Sequence, residues 1–308
     1  MTKSSAQTIG SIGRSDTAEQ PAFQAQTLRQ RSWRRFRRHK AAVLSAGILA
    51  VVILAAIFAP LIAPHPFEIN IEAGIYQPPS AEFWLGTDSV ARDVWSRLIY
   101  GGRVSLLVGV AAVTISLLIG TLIGGIAGYY RDPLDGVLMR VTDVFLALPT
   151  LIIVLAVVSL LGPSIRNLIL VIGFLSWAGI ARLVRGQLLS LRERDYVLAA
   201  HCIGTRNWRI MMIHLLPNLV GPLTVAATFG VAEAILTEAS LSYLGLGVQV
   251  PMPSWGNMLE GAKQVSILKS RGWIWIPPGL MIAITVLNIN LMGDGLRDAL
   301  DPRSDQTQ

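Results

Sequence analysis

The chain has 308 residues, of which 52% are hydrophobic and only 15% are charged. A soluble domain usually carries about a quarter charged residues, so the long uncharged runs indicate membrane spans. The net charge of +7 lies in residues 1–40, which hold nine basic and two acidic residues. Such a cluster can bind nucleic acid, but directly before an uncharged run it is more typical of a collar that anchors a membrane helix. We therefore expect contact with membrane lipid and not with nucleic acid.

Residues 1–40 hold few apolar residues and are predicted to form a cytoplasmic, basic and largely disordered N-terminal tail. The uncharged run 41–63 follows, and as a helix it would be about 34 Å long, enough to cross a bilayer. A cleaved signal peptide has an apolar core of only about 7–15 residues near the N-terminus. We therefore interpret residues 41–63 as an uncleaved first transmembrane helix.

Residues 64–103 contain several prolines and are predicted to form an extracytoplasmic loop with a short helix over 90–99. Residues 304–308 are expected to be a C-terminal tail. The uncharged runs between these segments predict five further spans, at residues 104–130, 137–161, 168–183, 217–242 and 273–293.

The distribution of basic residues predicts the orientation of these spans. With the N-terminus in the cytoplasm, most basic residues of the connecting loops also fall on the cytoplasmic side, as the positive-inside rule requires. We predict an all-α, polytopic membrane protein with about six transmembrane helices and with both termini in the cytoplasm. Residues 192–217, between spans four and five, are then cytoplasmic, and residues 245–272 lie outside.

The 192–217 loop is longer than a plain connector between two spans needs to be. A helix is predicted from about Asp195 to Ile203, with Asp195 as its N-cap and Gly204 as the left-handed residue after its end. A second amphipathic piece follows, and Pro217 opens span five. The loop is predicted to form two short helices outside the bilayer, and the alternative is an ordinary amphipathic surface helix.

This segment, RERDYVLAAHCIGTRNWRIMMIHLLPN, resembles the EAA loop of ABC import permeases in the spacing of its alanines, glycine and Leu-Pro pair. The resemblance implies that the loop docks on a cytoplasmic ATPase subunit and transmits its motion. The Glu position of the family holds Leu198 here. Coupling to the ATPase is expected at Asp195, Tyr196, Ala199, Ala200, Gly204, Trp208, Leu216 and Pro217.

Three further segments resemble the C-type permease of dipeptide and oligopeptide importers. They are LGTDSVARDVWSRLIYGGRVSL at 85–106, with Ala91 where Gly is usual, ILTEASLSYLGLGVQVPMPSWGNML at 235–259 and NLMGDGLRDALDPR at 290–303. The resemblance implies an ABC permease transmembrane domain over 104–303 in the inner membrane of a bacterium. The partners that it implies are a homologous second permease subunit, ATPase subunits in the cytoplasm and an extracytoplasmic solute-binding protein. Peptides, nickel chelates, glutathione and sugars are all substrates of relatives.

Four polar residues within the predicted spans are candidates for the translocation path or its gate: Glu233, Glu238, Asn288 and Asn290. An ionisable group in a span usually faces a bundle interior or a watery cavity. The alternative for the two glutamates is a hydrogen-bonded helix end, and the asparagines alternatively bond to neighbouring helices.

Two local patterns predict contacts of the spans. Asp143 lies three residues after Arg140, and this spacing predicts an ion pair on one helix face. Small residues at Gly120, Gly124 and Gly128 recur every four positions along span two and predict close packing against another helix.

The sequence contains no GxxxxGK[ST] phosphate loop, no HExxH and no GxSxG motif, and its four histidines show no metal-ligand spacing. Cys202 is the only cysteine, which excludes an internal disulfide. We therefore expect a non-catalytic transport subunit without cofactor or metal, with ATP hydrolysed by separate subunits. The alternatives are a secondary transporter or channel that needs no ATPase, for which broken spans or mid-membrane charges are expected, and a membrane-anchored assembly factor.

Overall fold

The computed structural model describes residues 34–69, 74–130 and 133–300. Within these ranges the fold is helical, and β-structure is limited to an isolated bridge between Thr87 and Asp93. The predicted all-α class is confirmed. Most of the predicted disordered tail over 1–40 and the whole C-terminal tail over 304–308 lie outside the described residues.

The main helices are labelled in chain order and connected by loops, turns and shorter helical segments. They are α1 Lys40–Ile57, α2 Val94–Tyr130, α3 Leu134–Ala147, α4 Thr150–Leu161, α5 Ile165–Leu175, α6 Trp177–Leu191, α7 Asp195–Cys202, α8 Leu216–Tyr243, α9 Trp255–Glu260, α10 Val265–Ser270 and α11 Gly272–Leu300.

Five segments of the described chain are long and apolar enough to cross a membrane: α1, α2, α5 with α6, α8 with its preceding turn, and α11. Helices α3 and α4 meet that test only together, and they are bent by 86° at the break between them. The predicted number of about six spans is therefore confirmed when the bent pair is counted as one.

The second span begins earlier than predicted. Instead of a short helix over 90–99 and a span from 104, one continuous helix of 37 residues runs from Val94 to Tyr130. Two arginines near its start suggested a boundary, but both are held by the protein itself. Arg97 is 3% exposed beside Asp88, and Arg103 donates to the backbone carbonyls of Ala56 and Ile57 at the end of α1. Since these charges have protein partners, they do not interrupt the helix.

The third span was predicted to be unbroken, and this was wrong. Leu148 is extended, with φ −89° and ψ 138°, and Pro149 forms the N-cap of α4. A proline disfavours helical geometry in the residue before it and has no backbone N–H to donate. Pro149 therefore separates α3 from α4.

Helix α2 lies at the centre of the bundle and packs against α6 through its row of small residues. A methyl group at Gly124 would overlap the carbonyl oxygen of Ala181, and one at Gly128 would lie 2.9 Å from the Cβ atom of Leu188. The close packing that this spacing predicts is confirmed, and α6 is the partner helix.

Two ion pairs join α3 to α6. Arg182 donates to Asp143 across 2.5 Å, and Arg185 contacts both oxygens of the Asp135 carboxylate, at 2.5 and 2.6 Å. The predicted pair of Asp143 with Arg140 is therefore wrong, because a partner on α6 lies within reach of the carboxylate.

Both ends of the described chain meet at one end of the bundle. His39 Nε2 lies 3.8 Å from Asp298 Oδ2, and a methyl group at Gly295 would overlap Ala42. Leu300 lies beside Gly221, near the start of α8. The 192–217 loop therefore shares this end, while Arg103 joins the other end of α1 to the N-terminal part of α2.

Candidate functional site

The 192–217 loop folds into helix α7, a short helical segment Asn207–Arg209 and a turn of π-helix, Ile210–Leu215, that leads into α8. Gly204 ends α7 in the predicted left-handed conformation, with φ +76°. The N–H of Gly204 donates to the carbonyl of His201, and the N–H of Thr205 donates to that of Ala200. This reciprocal pair of bonds is the Schellman motif, and it closes the helix at a fixed residue.

The N-terminus of α7 differs from the prediction. Arg194 is the N-cap residue, no side chain caps the helix, and Asp195 is its first residue. Asp195 does not accept the predicted capping bond, but its carboxylate lies at the positive end of the helix dipole, where negative charge is stabilising.

The inner face of α7 anchors the loop to its own subunit. Val197 is fully buried and Ala200 is 6% exposed. Both belong to a cluster with Leu188 of α6, Ile210 of the π-helical turn and Leu219 of α8. The resemblance implies a coupling role for both Ala199 and Ala200. The structure separates them, because Ala200 packs inward and Ala199 is exposed.

The outer face of the 192–217 loop carries several large apolar side chains among exposed charged and polar ones. Ile203 is 82% exposed and Trp208 60%, and Tyr196 and Leu198 are also exposed. We call these four residues the loop patch. Large exposed apolar groups at the end of a membrane bundle are typical of a protein contact. Sequence reasoning singled out Tyr196 and Trp208 and missed Ile203, whose position beside Gly204 was the available signal.

The π-helical turn accommodates Pro217. A proline inside an α-helix clashes with the carbonyl four residues earlier and donates no hydrogen bond. Here the N–H of Leu216 donates to the carbonyl of Met211, five residues back, which widens the turn just before Pro217. Leu216 and Pro217 thus set how the loop joins α8.

The four polar candidates of the spans do not share a site. Glu238 is fully buried and accepts hydrogen bonds from Ser105 of α2 at 2.9 Å and from Ser242 at 2.7 Å. Asn288 is buried and donates to the carbonyl of Ile284 in its own helix, at 2.7 Å. Asn290 is half-buried on α11.

Glu233 has a different environment from Glu238. It is exposed, and it lines a cavity of about 190 Å³ between α2, the α5–α6 break and α8. The described residues place no hydrogen bond or ion pair on its carboxylate. The lining contains Ser176, Phe229 and Thr237 but no basic residue.

A second cavity, of about 330 Å³, lies at the end of the bundle opposite the 192–217 loop. Asp88 bonds Arg92 at 2.7 Å and also lies 3.7 Å from Arg97. Nearby, Ala91 adopts a positive φ of 59°, which explains why glycine is the expected residue at this point of the segment. Sequence reasoning missed this charged cluster although its members lie within one segment, because Asp88 and Arg92 precede α2 in an irregular stretch with no helical spacing to predict the contact.

The geometry fits a membrane permease, and comparison with known sequences decides the family. Residues 120–306 match the family model described as binding-protein-dependent transport system inner membrane component. The chain belongs to this family of ABC importer permeases. Residues 27–79 match a second family model, the N-terminal TM domain of oligopeptide transport permease C. The predicted C-type resemblance is confirmed, and the chain is a multi-pass protein of the bacterial inner membrane.

Similar proteins include three that are named as permeases for small peptides or glutathione. The chain is 42% identical over 272 residues to the dipeptide transport system permease protein DppC of Alkalihalophilus pseudofirmus, covering 88% of this chain and 89% of that protein. It is 41% identical to the di/tripeptide permease DppC of Pseudomonas aeruginosa, covering 88% and 91%. It is 39% identical to the glutathione permease GsiD of Pectobacterium atrosepticum, covering 88% and 90%. These permeases are transport components, which agrees with the absence of enzyme motifs in the chain.

Proposed function

We propose that this permease is one half of the path of an ATP-driven importer for dipeptides or similar small solutes. A homologous second permease subunit forms the other half, and a solute-binding protein delivers substrate from outside. ATP hydrolysis takes place on separate cytoplasmic subunits. The names of the relatives support the substrate class, and the family match supports the kinds of partner.

The observation that carries this proposal is the loop patch. A protein that moved solute without an ATPase would have no evident use for Ile203 and Trp208 in solvent, at the end of the bundle where His39 and Asp298 meet. We place this end in the cytoplasm on the basis of the positive-inside rule. There the patch binds the ATPase subunit, and motion of that subunit reaches the spans through the buried face of α7.

Coupling to the spans follows from the packing of the 192–217 loop. Val197 and Ala200 pack in one cluster with residues of α6 and α8, and Tyr129 at the end of α2 belongs to the same cluster. Protein interiors are close-packed and transmit displacement with little compression. A push on the patch therefore moves the ends of three spans together.

The test uses the complete complex in vesicles, with ATP inside and a dipeptide with its binding protein outside. Ile203→Arg is expected to leave membrane insertion intact and to reduce retention of the ATPase and uptake by at least about tenfold, since a central contact residue often contributes more than about 2 kcal/mol. Val265→Arg is the matched control, because Val265 is 64% exposed in α10, outside the spans at the opposite end of the bundle. Normal coupling in the Ile203→Arg complex would place the docking surface elsewhere.

Vesicles that contain the permease without the ATPase test the alternative of a secondary transporter. The bent α3–α4 span and the mid-membrane Glu233 are features that such proteins also have. Uptake driven by a proton or sodium gradient, with no ATPase present, would reject the importer proposal.

A further inference from the structure

The carboxylate of Glu233 is exposed in the middle of a span, where charged groups are rare. Helix α8 ends at Tyr243, so Glu233 lies about 15 Å along the axis from that end and about 25 Å from Leu216. This position is within the apolar layer of a bilayer, whose thickness is about 30 Å. A carboxylate facing lipid at that depth costs several kcal/mol, so Glu233 is expected to face water or a ligand.

The environment of Glu233 is built for positive charge. The cavity lining contains one acidic side chain and no basic one, so its formal charge is negative. The lining also contains the hydroxyl groups of Ser116, Ser176 and Thr237 and the side chain of Phe229. A carboxylate, hydroxyl oxygens and an aromatic ring are groups that can stabilise an ammonium ion.

The size of the cavity limits what part of a solute it holds. At about 190 Å³ it is smaller than the roughly 300–1,000 Å³ of pockets that enclose whole ligands. It therefore fits one terminal group of a larger solute. The break between α5 and α6 at Ser176 contributes to this space, because the chain there departs from helical geometry.

The second glutamate of α8, Glu238, is not available to bind a cationic group. Glu238 has no exposed surface, and its two oxygens are already bonded by Ser105 and Ser242. It joins α2 to α8 and offers no free oxygen to a passing solute. Glu233, five residues earlier, is exposed, and its carboxylate has no hydrogen bond or ion pair within the described chain, while its backbone carbonyl accepts from Thr237.

We propose that Glu233, with Ser176, Thr237 and Phe229, forms a mid-membrane binding site for the primary ammonium group of the transported solute. This inference rests on the proposed import function and adds the chemistry that the path recognises. A peptide with a free amino terminus satisfies it, and a solute whose amine is acylated does not.

The experiment measures how the charge of the cavity changes the rate of thiol modification, so the result does not depend on the selectivity of the binding protein. Cys202, the only cysteine, is replaced by Ala, and Ser176→Cys provides a thiol in the cavity. In reconstituted complexes, the rate of modification is measured with a cationic and with a neutral methanethiosulfonate reagent of similar size. Glu233→Gln is expected to lower the ratio of cationic to neutral rates several-fold, because it removes the acidic side chain from the lining of the same cavity.

Two arms complete the test. The dipeptide Ala-Ala is expected to slow modification of the Ser176→Cys thiol, whereas N-acetyl-Ala-Ala is not, and Glu233→Gln is expected to abolish the protection. Ser240→Ala is the control, because Ser240 is exposed on the same helix and its hydroxyl donates only to the carbonyl of Leu236. It is expected to leave the rate ratio and the protection unchanged.

An unchanged rate ratio in Glu233→Gln, or equal protection by both dipeptides, would overturn the inference. Loss of the second permease subunit from the Glu233→Gln complex would also overturn it, since it would assign the carboxylate to a subunit contact. ATP-driven uptake by the Cys202→Ala parent is measured in the same vesicles. If that uptake depends on ATP while the ratio is unchanged, the ammonium site alone is wrong and the importer function stands.

Discussion

A graded series at Gly204 tests whether the end of α7 is required for coupling. Gly204 has φ +76°, and a Cβ atom added there would meet nothing within 4 Å. A side chain at this position therefore meets no steric obstacle from neighbours, and its cost comes from the backbone alone. For an ordinary residue the left-handed conformation costs about 1–2 kcal/mol, and β-branched residues adopt it still less readily.

We expect coupling to be impaired least by Gly204→Asn, more by Gly204→Ala and most by Gly204→Val, because asparagine tolerates the left-handed region best of the three. A penalty of about 2 kcal/mol for the valine variant favours an opened helix end by about thirtyfold, since about 1.4 kcal/mol corresponds to a factor of ten. The bonds from the N–H groups of Gly204 and Thr205 are then lost, and the loop patch loses its fixed arrangement.

The assay measures ATP-driven dipeptide uptake and retention of the ATPase in vesicles, with the amount of inserted permease as the reference. The three variants should insert equally, because the position lies outside the spans. Full uptake by Gly204→Val, or an asparagine variant that is worse than the valine variant, would refute the argument from backbone conformation.

Three further predictions concern topology and packing. In a background without Cys202, a cysteine at Arg206 should react with a membrane-impermeant thiol reagent only from the inside, and labelling from outside would reverse the orientation. Gly124→Val should reduce the yield of folded permease, because its side chain would overlap Ala181 of α6. Gly125→Val should reduce the yield less, because nothing lies within 4 Å of the added Cβ atom. Gel filtration in detergent compares the two yields. Ala91→Gly should raise the free energy of unfolding by up to about 1 kcal/mol, since Ala91 holds a positive φ, and a thermal melt in detergent that shows a decrease would contradict this.

The elements that sequence predicted well depend on local chemistry. The spans follow from uncharged runs, and Gly204 follows from the need for a left-handed residue at a helix end. The break at Pro149 also had a local signal, since a proline within a helical pattern ends or kinks the helix, but the apolar run on both sides outweighed it.

The remaining features depend on contacts between different elements of the fold. Arg97 and Arg103 lie inside α2 because Asp88, Ala56 and Ile57 hold their guanidinium groups. Ala199 and Ala200 are adjacent in sequence, and only the positions of α6 and α8 decide which one is buried. Periodicity within a segment carries no information on such contacts.

The unbroken length of α2 has a mechanical consequence. As one helix of 37 residues it is about 55 Å long, and it extends from the cluster around Tyr129 to the charged cavity around Arg97. A rigid rod of that length works as a lever, so a tilt of about 5° displaces one end relative to the other by about 5 Å. Under the proposed coupling, a small rotation started at the 192–217 loop would reach the opposite end of the bundle through this one helix.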